Sequence, residues 1–218
     1  FPTRRSSDLY NKTQADRVEI CDDLGVKQGS YLMTSVGELT KRKNHRVILQ
    51  ALAQISNKNI TYLICGTGVL ESELKLLVIE LKLEGQVVFA GYRTDINEIL
   101  KVSDCFVFPS IQEGLPVALL EAMSAGLPVV CSRIRGNIDL ITENRGGYLV
   151  EASDVGAFVQ AIEKMSANEK EQKDFGKYNR KVVKEFDIKK VSCAMEKIYR
   201  SVENQLQSEK LVDKEVET

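Results

Sequence analysis

Asp104–Cys131 reads DCFVFPSIQEGLPVALLEAMSAGLPVVC. Asp104–Pro109 is a short apolar and aromatic run, a strand. After a polar loop, Pro116–Ala125 reads as a helix with proline in its first turn, where the missing N–H leaves no bond unmade. Gly126 stops the helix, and Pro128–Cys131 is a second apolar strand. A strand, a helix and a strand at this spacing form a βαβ unit. The unalternating apolar character of both strands predicts burial on both faces of a parallel sheet.

The alternation extends both ways. Upstream, Tyr31–Gly37 (YLMTSVG), Ile60–Cys65 (ITYLIC) and Gln86–Ala90 read as strands. Asn44–Ile55 places Val47, Ile48, Ala51, Leu52 and Ile55 at helical period, and Leu70–Leu83 does the same with Leu70, Leu74, Leu77, Val78 and Leu81. Asp95–Val102 is a short helix that Asp95 is placed to cap. Downstream come a helical turn at Asn137–Thr142, a strand at Gly147–Val150, a helix over Asp154–Ser166 capped by Ser153 or Asp154, and a charged helical stretch from about residue 169. Six strands alternating with helices predict an α/β fold: a doubly wound, Rossmann-like parallel sheet of about six strands. The domain spans residues 30–190. A lead-in helix and turn occupy 10–29, and a C-terminal helix and frayed tail occupy 191–218.

The 218 residues carry 30 Lys+Arg and 31 Asp+Glu, so no global basic field favours nucleic acid. No apolar run reaches the length of a transmembrane helix. The single histidine, His45, excludes a multi-histidine metal site. The five cysteines are odd in number and form no C-x-x-C pair; Cys65, Cys105 and Cys131 fall in apolar runs and read as buried free thiols of a reducing cytosol. Phe1–Leu9, FPTRRSSDL, has neither periodicity nor the apolar stretch of a signal peptide. It resembles translated adapter sequence and is expected to be non-native, with the coding region cut before residue 10.

In such a sheet, ligands bind at the carboxyl ends of the strands, near the switch point. After the first strand, Gly37 is followed by Lys41-Arg42-Lys43 at the head of a helix, which suits a phosphate or diphosphate; the other reading is a solvated basic loop. After the second strand, Gly66-Thr67-Gly68 reads as a tight turn allowing close ligand approach. The third position of a dinucleotide fingerprint is Glu71, and that fingerprint belongs on the first strand, which disfavours an NAD-dependent oxidoreductase. After the fourth strand come Glu113, Gly114 and Leu115, with Glu121 on the helix behind them. A carboxylate inside an apolar helix needs partners. The vicinal hydroxyls of a sugar or ribose would supply them, and so would a Lys or Arg at the edge of the core. Gly114 lets main chain approach a ligand, and the helix N-terminus adds positive potential. No Asp-x-Asp follows any strand, so a bound divalent metal is not required.

Glu113 and Glu121 within EGLPVALLEAMSAGLPVV strongly resemble the E-x7-E signature of the retaining glycosyltransferases of family four. The resemblance spans about residues 30–200 and includes VGEL, Lys43, ICGTG, VVFAGYRTDINEIL and SDCFVFPS; GEL…KNH and RGN-DLI point to the bacterial capsular and exopolysaccharide branch. It implies the C-terminal, donor-binding half of a GT-B architecture with extra C-terminal helices. The implied reaction is retaining transfer of a hexose from a nucleoside diphosphate sugar, UDP-linked, to a glycan or lipid-linked acceptor. The acceptor would be reached through an N-terminal domain, at the inner face of the cytoplasmic membrane, with no cofactor beyond the donor.

By resemblance Glu121 holds the ribose hydroxyls, Glu113 contacts the sugar at its reacting face, and the amides of Gly114 and Leu115 bind hydroxyls or phosphate. Lys43 neutralises the leaving diphosphate, Gly37 and Gly66 line the donor, and the main chain at Tyr92-Arg93 reads the base. Glu38 stands where the family often has Arg, so that Arg42 is the second cation or Lys43 acts alone. The alternative is a nucleotide-sugar-binding module inactive by itself. The family's final helix crosses back to the N-terminal domain, and the stripe of Val191, Met195, Ile198, Tyr199 and Val202 is expected to be an exposed patch.

Overall fold

The computed structural model describes residues 15–186, 190, 192 and 195–202. Helix α1 (Arg17–Leu24) opens on Asp16, whose carboxylate accepts from the amides of Val18 and Glu19, and closes on Gly25 at φ 67°. The strands are β1 (Tyr31–Val36), β2 (Ile60–Cys65), β3 (Val87–Gly91), β4 (Cys105–Phe108), β5 (Val129–Ser132) and β6 (Gly147–Val150). Between and after them run α2 (His45–Gln54), α3 (Glu71–Glu80), α4 (Ile96–Val102), α5 (Val117–Ala125), α6 (Arg135–Ile138), α7 (Val155–Ala167) and α8 (Glu169–Val182).

The strands form one wholly parallel sheet in the order β3-β2-β1-β4-β5-β6, as the alternation predicts. Register sets Tyr31 beside Ile60 and Met33 beside Cys105. The order reverses between β1 and β4, which makes their C-terminal ends the switch point. Helices α2, α3 and α7 pack together, as do α1, α4 and α5, giving a layer on each face. Every residue of β2, β4 and β5 is buried, because both faces are covered. Helix α2 buries Val47, Ile48, Leu49, Ala51 and Leu52 against Tyr62, Ile64 and Phe158. Each large aliphatic side chain there stabilises the fold by about 1.5–3 kcal/mol.

The lead-in helix is fastened at the far end of the sheet. Arg17 makes a forked pair with Asp104, at 2.9 and 2.7 Å, and donates to the carbonyls of Val102 and Ser30. Asp104 also accepts from the Leu32 amide at 2.7 Å, so one carboxylate serves α1, β1 and β4.

Three local expectations change. Asp95 makes no cap bond, because its carboxylate is taken by Arg93. The helical turn after β5 lies at Arg135–Ile138, ahead of Asn137–Thr142. Helix α3 ends at Glu80, where Leu81 caps it and Lys82 turns to φ 58°. Cys65, Cys105 and Cys131 are buried free thiols, as is Cys21, and burial pushes Cys65 and Cys105 up to about 12. Beyond Val183 lies a second unit, in which Met195, Ile198, Tyr199 and Val202 are exposed. The leader 1–9, Val191, Cys193 and the tail from 203 lie outside the described residues.

Candidate functional site

The loops after β1 and β4 leave the switch point as neighbours. After Gly37 the chain makes one 3-10 turn at Lys41–Lys43. Asn44 then takes φ 53°, a left-handed conformation that asparagine tolerates. The Asn44 amide nitrogen donates to Pro109 O at 3.2 Å and to Ala152 O at 2.8 Å. One side chain thus straps the loops after β1, β4 and β6 together. The Ile111 amide donates to the Arg42 carbonyl at 2.9 Å, a second tie between the first two.

Lys43 runs across Gly37: a Cβ on that glycine would lie 3.1 Å from Lys43 Cε. Its ammonium stands 4.7 Å from the centre of the Phe108 ring and 2.7 Å from Glu113 Oε1. Glu113 Oε2 lies 3.2 Å from Arg42 Nη1, which also donates to Gln112 O at 3.2 Å. The side chains of Lys43 and Glu113 are 12% and 8% exposed, against 46% for Arg42. Burial strengthens the Lys43–Glu113 attraction well beyond that of an open surface pair. Both cations that the sequence offers for an anion therefore meet on one carboxylate.

Gly114 and Leu115 are exposed beside this cluster, and a Cβ on Gly114 would meet nothing within 4 Å. Helix α5 starts behind them from Pro116 with no side-chain cap, so its first amides carry their partial positive charge to the same rim. Glu121 stands half-buried on the second turn of α5. The backbone of Glu113 and Gly114 rests on α6, where a Cβ on Gly136 would lie 2.4 Å from Gly114 O. Buried Asn137 donates to Ser132 O at 2.8 Å, and the Ser132 hydroxyl donates to the Ser110 carbonyl.

The close approach at Gly66 and Gly68 is made by protein. A Cβ on Gly66 would lie 2.0 Å from Gly37 O, and one on Gly68 2.6 Å from Leu39 N. The two loops also exchange bonds, Leu39 N to Thr67 O and Leu70 N to Leu39 O, both 3.0 Å. The room those glycines leave on the side-chain side is filled by the loop after β1. Arg93 points its side chain at Asp95, at 2.6 and 2.9 Å, and at Asp23 of α1, at 3.0 Å. It holds the Asp95 carboxyl below its usual range and leaves Tyr92, 78% exposed, at the head of its loop.

Under the cationic turn lies His45, 3% exposed. Ser35 Oγ donates to the Val107 carbonyl, so it accepts from Tyr62 OH at 2.9 Å; Tyr62 in turn accepts from His45 Nδ1 at 2.8 Å. This buried chain crosses β2, β1 and β4 below the site. Burial, with the Lys43 cation second, pushes the His45 pKa down to about 4.

Lys43, Arg42, Gly37, Glu113, Gly114 and Leu115 are brought together, with Glu121 on the helix behind. Gly66 and the Arg93 side chain serve packing and loop anchoring. Asn44 and Gly136 escaped the sequence; their signals were an asparagine between a cation run and a helix, and the glycine of RGN. Among the described residues no group of three or more His, Cys, Asp or Glu could hold a metal ion, and no helix is long and apolar enough to cross a membrane.

The profile of the family described as Glycosyl transferases group 1 matches residues 16–182. The Escherichia coli UDP-Gal:alpha-D-GlcNAc-diphosphoundecaprenol alpha-1,3-galactosyltransferase is 38% identical over 144 residues, 64% of this chain and 37% of its own length. HepE of Anabaena, solved in complex with UDP, superposes with a TM-score of 0.84 at 21% identity over 90% of this chain and 56% of that one. The C-terminal domain of a group 1 glycosyl transferase (LpcC) of Francisella tularensis superposes with a TM-score of 0.75 at 19% identity, over 84% of this chain and 99% of that one. The chain spans 37%, 46% and 50% of the lengths of three curated relatives it matches.

Proposed function

The chain belongs to the glycosyl transferases group 1 family, and from that membership we propose that it is the donor-binding part of a retaining hexosyltransferase that uses a UDP-sugar. Its sheet is the C-terminal half of a GT-B architecture, with extra helices. The observation that carries the proposal is the convergence of Lys43 and Arg42 at the β1–β4 switch point, beside the uncapped start of α5.

When the bond from the sugar's anomeric carbon to the diphosphate breaks, negative charge collects on the diphosphate. Lys43, Arg42 and the first amides of α5 are placed to receive that charge once the Glu113 carboxylate turns to the sugar. No metal enters this reading. Glu113 accepts from sugar hydroxyls, Gly114 and Leu115 offer amides, and Glu121 accepts from the ribose hydroxyls. The main chain at Tyr92 and Arg93 reads the base. The acceptor is a glycan or lipid-linked sugar of a cell-surface polysaccharide, met at the cytoplasmic membrane face; the E. coli relative's diphosphoundecaprenol acceptor supports this choice.

Thermal unfolding with UDP, UDP-glucose, UDP-galactose and NAD+ in parallel tests the proposal. UDP and at least one UDP-sugar should raise the melting temperature with concentration, and NAD+ should not. No response to any nucleoside diphosphate at millimolar concentration would contradict it.

A further inference from the structure

In the free chain the seat for an incoming diphosphate is already taken. Both Glu113 oxygens are engaged, one by Lys43 at 2.7 Å and one by Arg42 at 3.2 Å. A phosphate oxygen arriving at the Lys43 ammonium would meet a carboxylate of the same sign in an enclosed place, with the Glu113 side chain 8% exposed. The two anions repel strongly there, so one must give way.

We propose that Glu113 is a built-in competitor for anions at Lys43 and Arg42, and that this competition selects a nucleoside diphosphate sugar over the bare diphosphate. A sugar diphosphate brings phosphate oxygens for the two cations and hydroxyl donors for the displaced carboxylate. Every charged group that loses a partner gains another. UDP or pyrophosphate brings only the anion, and strands a carboxylate that has lost its cations in a poorly solvated pocket.

The loop is built for the exchange. Among the described residues the amides of Gln112, Glu113, Gly114 and Leu115 donate to no backbone carbonyl, and Gly114 has open space beside it. Lys43, by contrast, is fixed by the Asn44 strap and the Phe108 ring. The carboxylate is therefore the partner that moves, and the ammonium the one that stays. The inference rests on the donor reading in taking a diphosphate as the incoming anion.

Calorimetric titration of the wild-type chain and Glu113→Gln with pyrophosphate, UDP and UDP-glucose or UDP-galactose tests it. Glu113→Gln should bind pyrophosphate and UDP more tightly by about tenfold, within the range of ordinary couplings between sites. Its preference for a UDP-sugar over UDP should fall. Glu113→Asp, too short to reach both cations, should tighten pyrophosphate binding to an intermediate degree, and it decides the matter if the glutamine variant shows no cooperative unfolding. Unchanged or weaker pyrophosphate binding in a folded variant overturns the inference. If UDP binds the wild type and pyrophosphate fails to tighten in the variant, the donor reading stands and the exchange falls. If pyrophosphate tightens while UDP binds neither chain, the competition for anions at Lys43 and Arg42 stands, and both the selection of a sugar nucleotide and the donor reading fall.

Discussion

Gly66 faces Gly37 so closely that a Cβ on Gly66 would lie 2.0 Å from the Gly37 carbonyl oxygen. The loops after β1 and β2 can interlock only because Gly66 carries no side chain. Gly66→Ala should therefore lower the free energy of unfolding by about 2–3 kcal/mol, an overpacking cost added to a positive φ. Gly114→Ala, with nothing within 4 Å of the new carbon, should stay within about 0.5 kcal/mol of the wild type. Urea unfolding of the two variants checks this, and equal losses would contradict the assignment of Gly66 to loop packing.

Asn44 should act through two separable terms. Asn44→Gly keeps the left-handed φ and removes the bonds to Pro109 and Ala152, which should lower stability by about 1–3 kcal/mol. Asn44→Ala loses the bonds and also strains the backbone, adding about 1–2 kcal/mol more. Denaturant midpoints for the two variants give the difference directly. If they coincide, the strained turn plays no part.

His45 gives the stability a pH dependence of defined sign. Folded, it stays neutral down to about pH 4; unfolded, it takes a proton near 6.5. Between those values the unfolded chain binds more protons, so stability falls as pH drops through that window, by a total on the order of 3 kcal/mol. His45→Gln removes this contribution. The stability gap between wild type and variant should therefore narrow between pH 7 and pH 4.5. Parallel pH profiles would refute a buried neutral imidazole.

Glu121 should reveal itself through the ribose. Glu121→Ala is expected to weaken UDP binding by about tenfold, the effect of losing charge-assisted hydrogen bonds. For 2′,3′-dideoxy-UDP the wild type and the variant should bind alike. An equal loss for both nucleotides would mean that Glu121 supports the helix and does not hold the sugar.

Much of this was legible in the sequence. The six strands appear as unalternating apolar runs because both faces of the sheet are covered, and α2 appears because its apolar period is long. The convergence of Lys43 and Glu113, 70 positions apart, follows once β1 and β4 are known to be neighbours. What sequence missed was competition for the same group. Asp95 has a capping position, but Arg93 two residues earlier reaches its carboxylate first. Gly66 reads as a turn glycine, but the sequence does not show that the loop after β1 needs the place of its side chain. Asn44 looks like an ordinary residue ahead of a helix, and only the loops after β4 and β6 reveal what its amide holds.

The central claim is that the Lys43 cation at the β1–β4 switch point binds the diphosphate of a nucleotide. Isothermal titration of UDP into the wild-type chain and into Lys43→Met, which keeps the apolar stem across Gly37, tests it most directly. The wild type should bind UDP saturably and more weakly as ionic strength rises, and a folded Lys43→Met should lose at least about tenfold in affinity. Equal affinity in the two chains, or no binding of UDP by either, would contradict it.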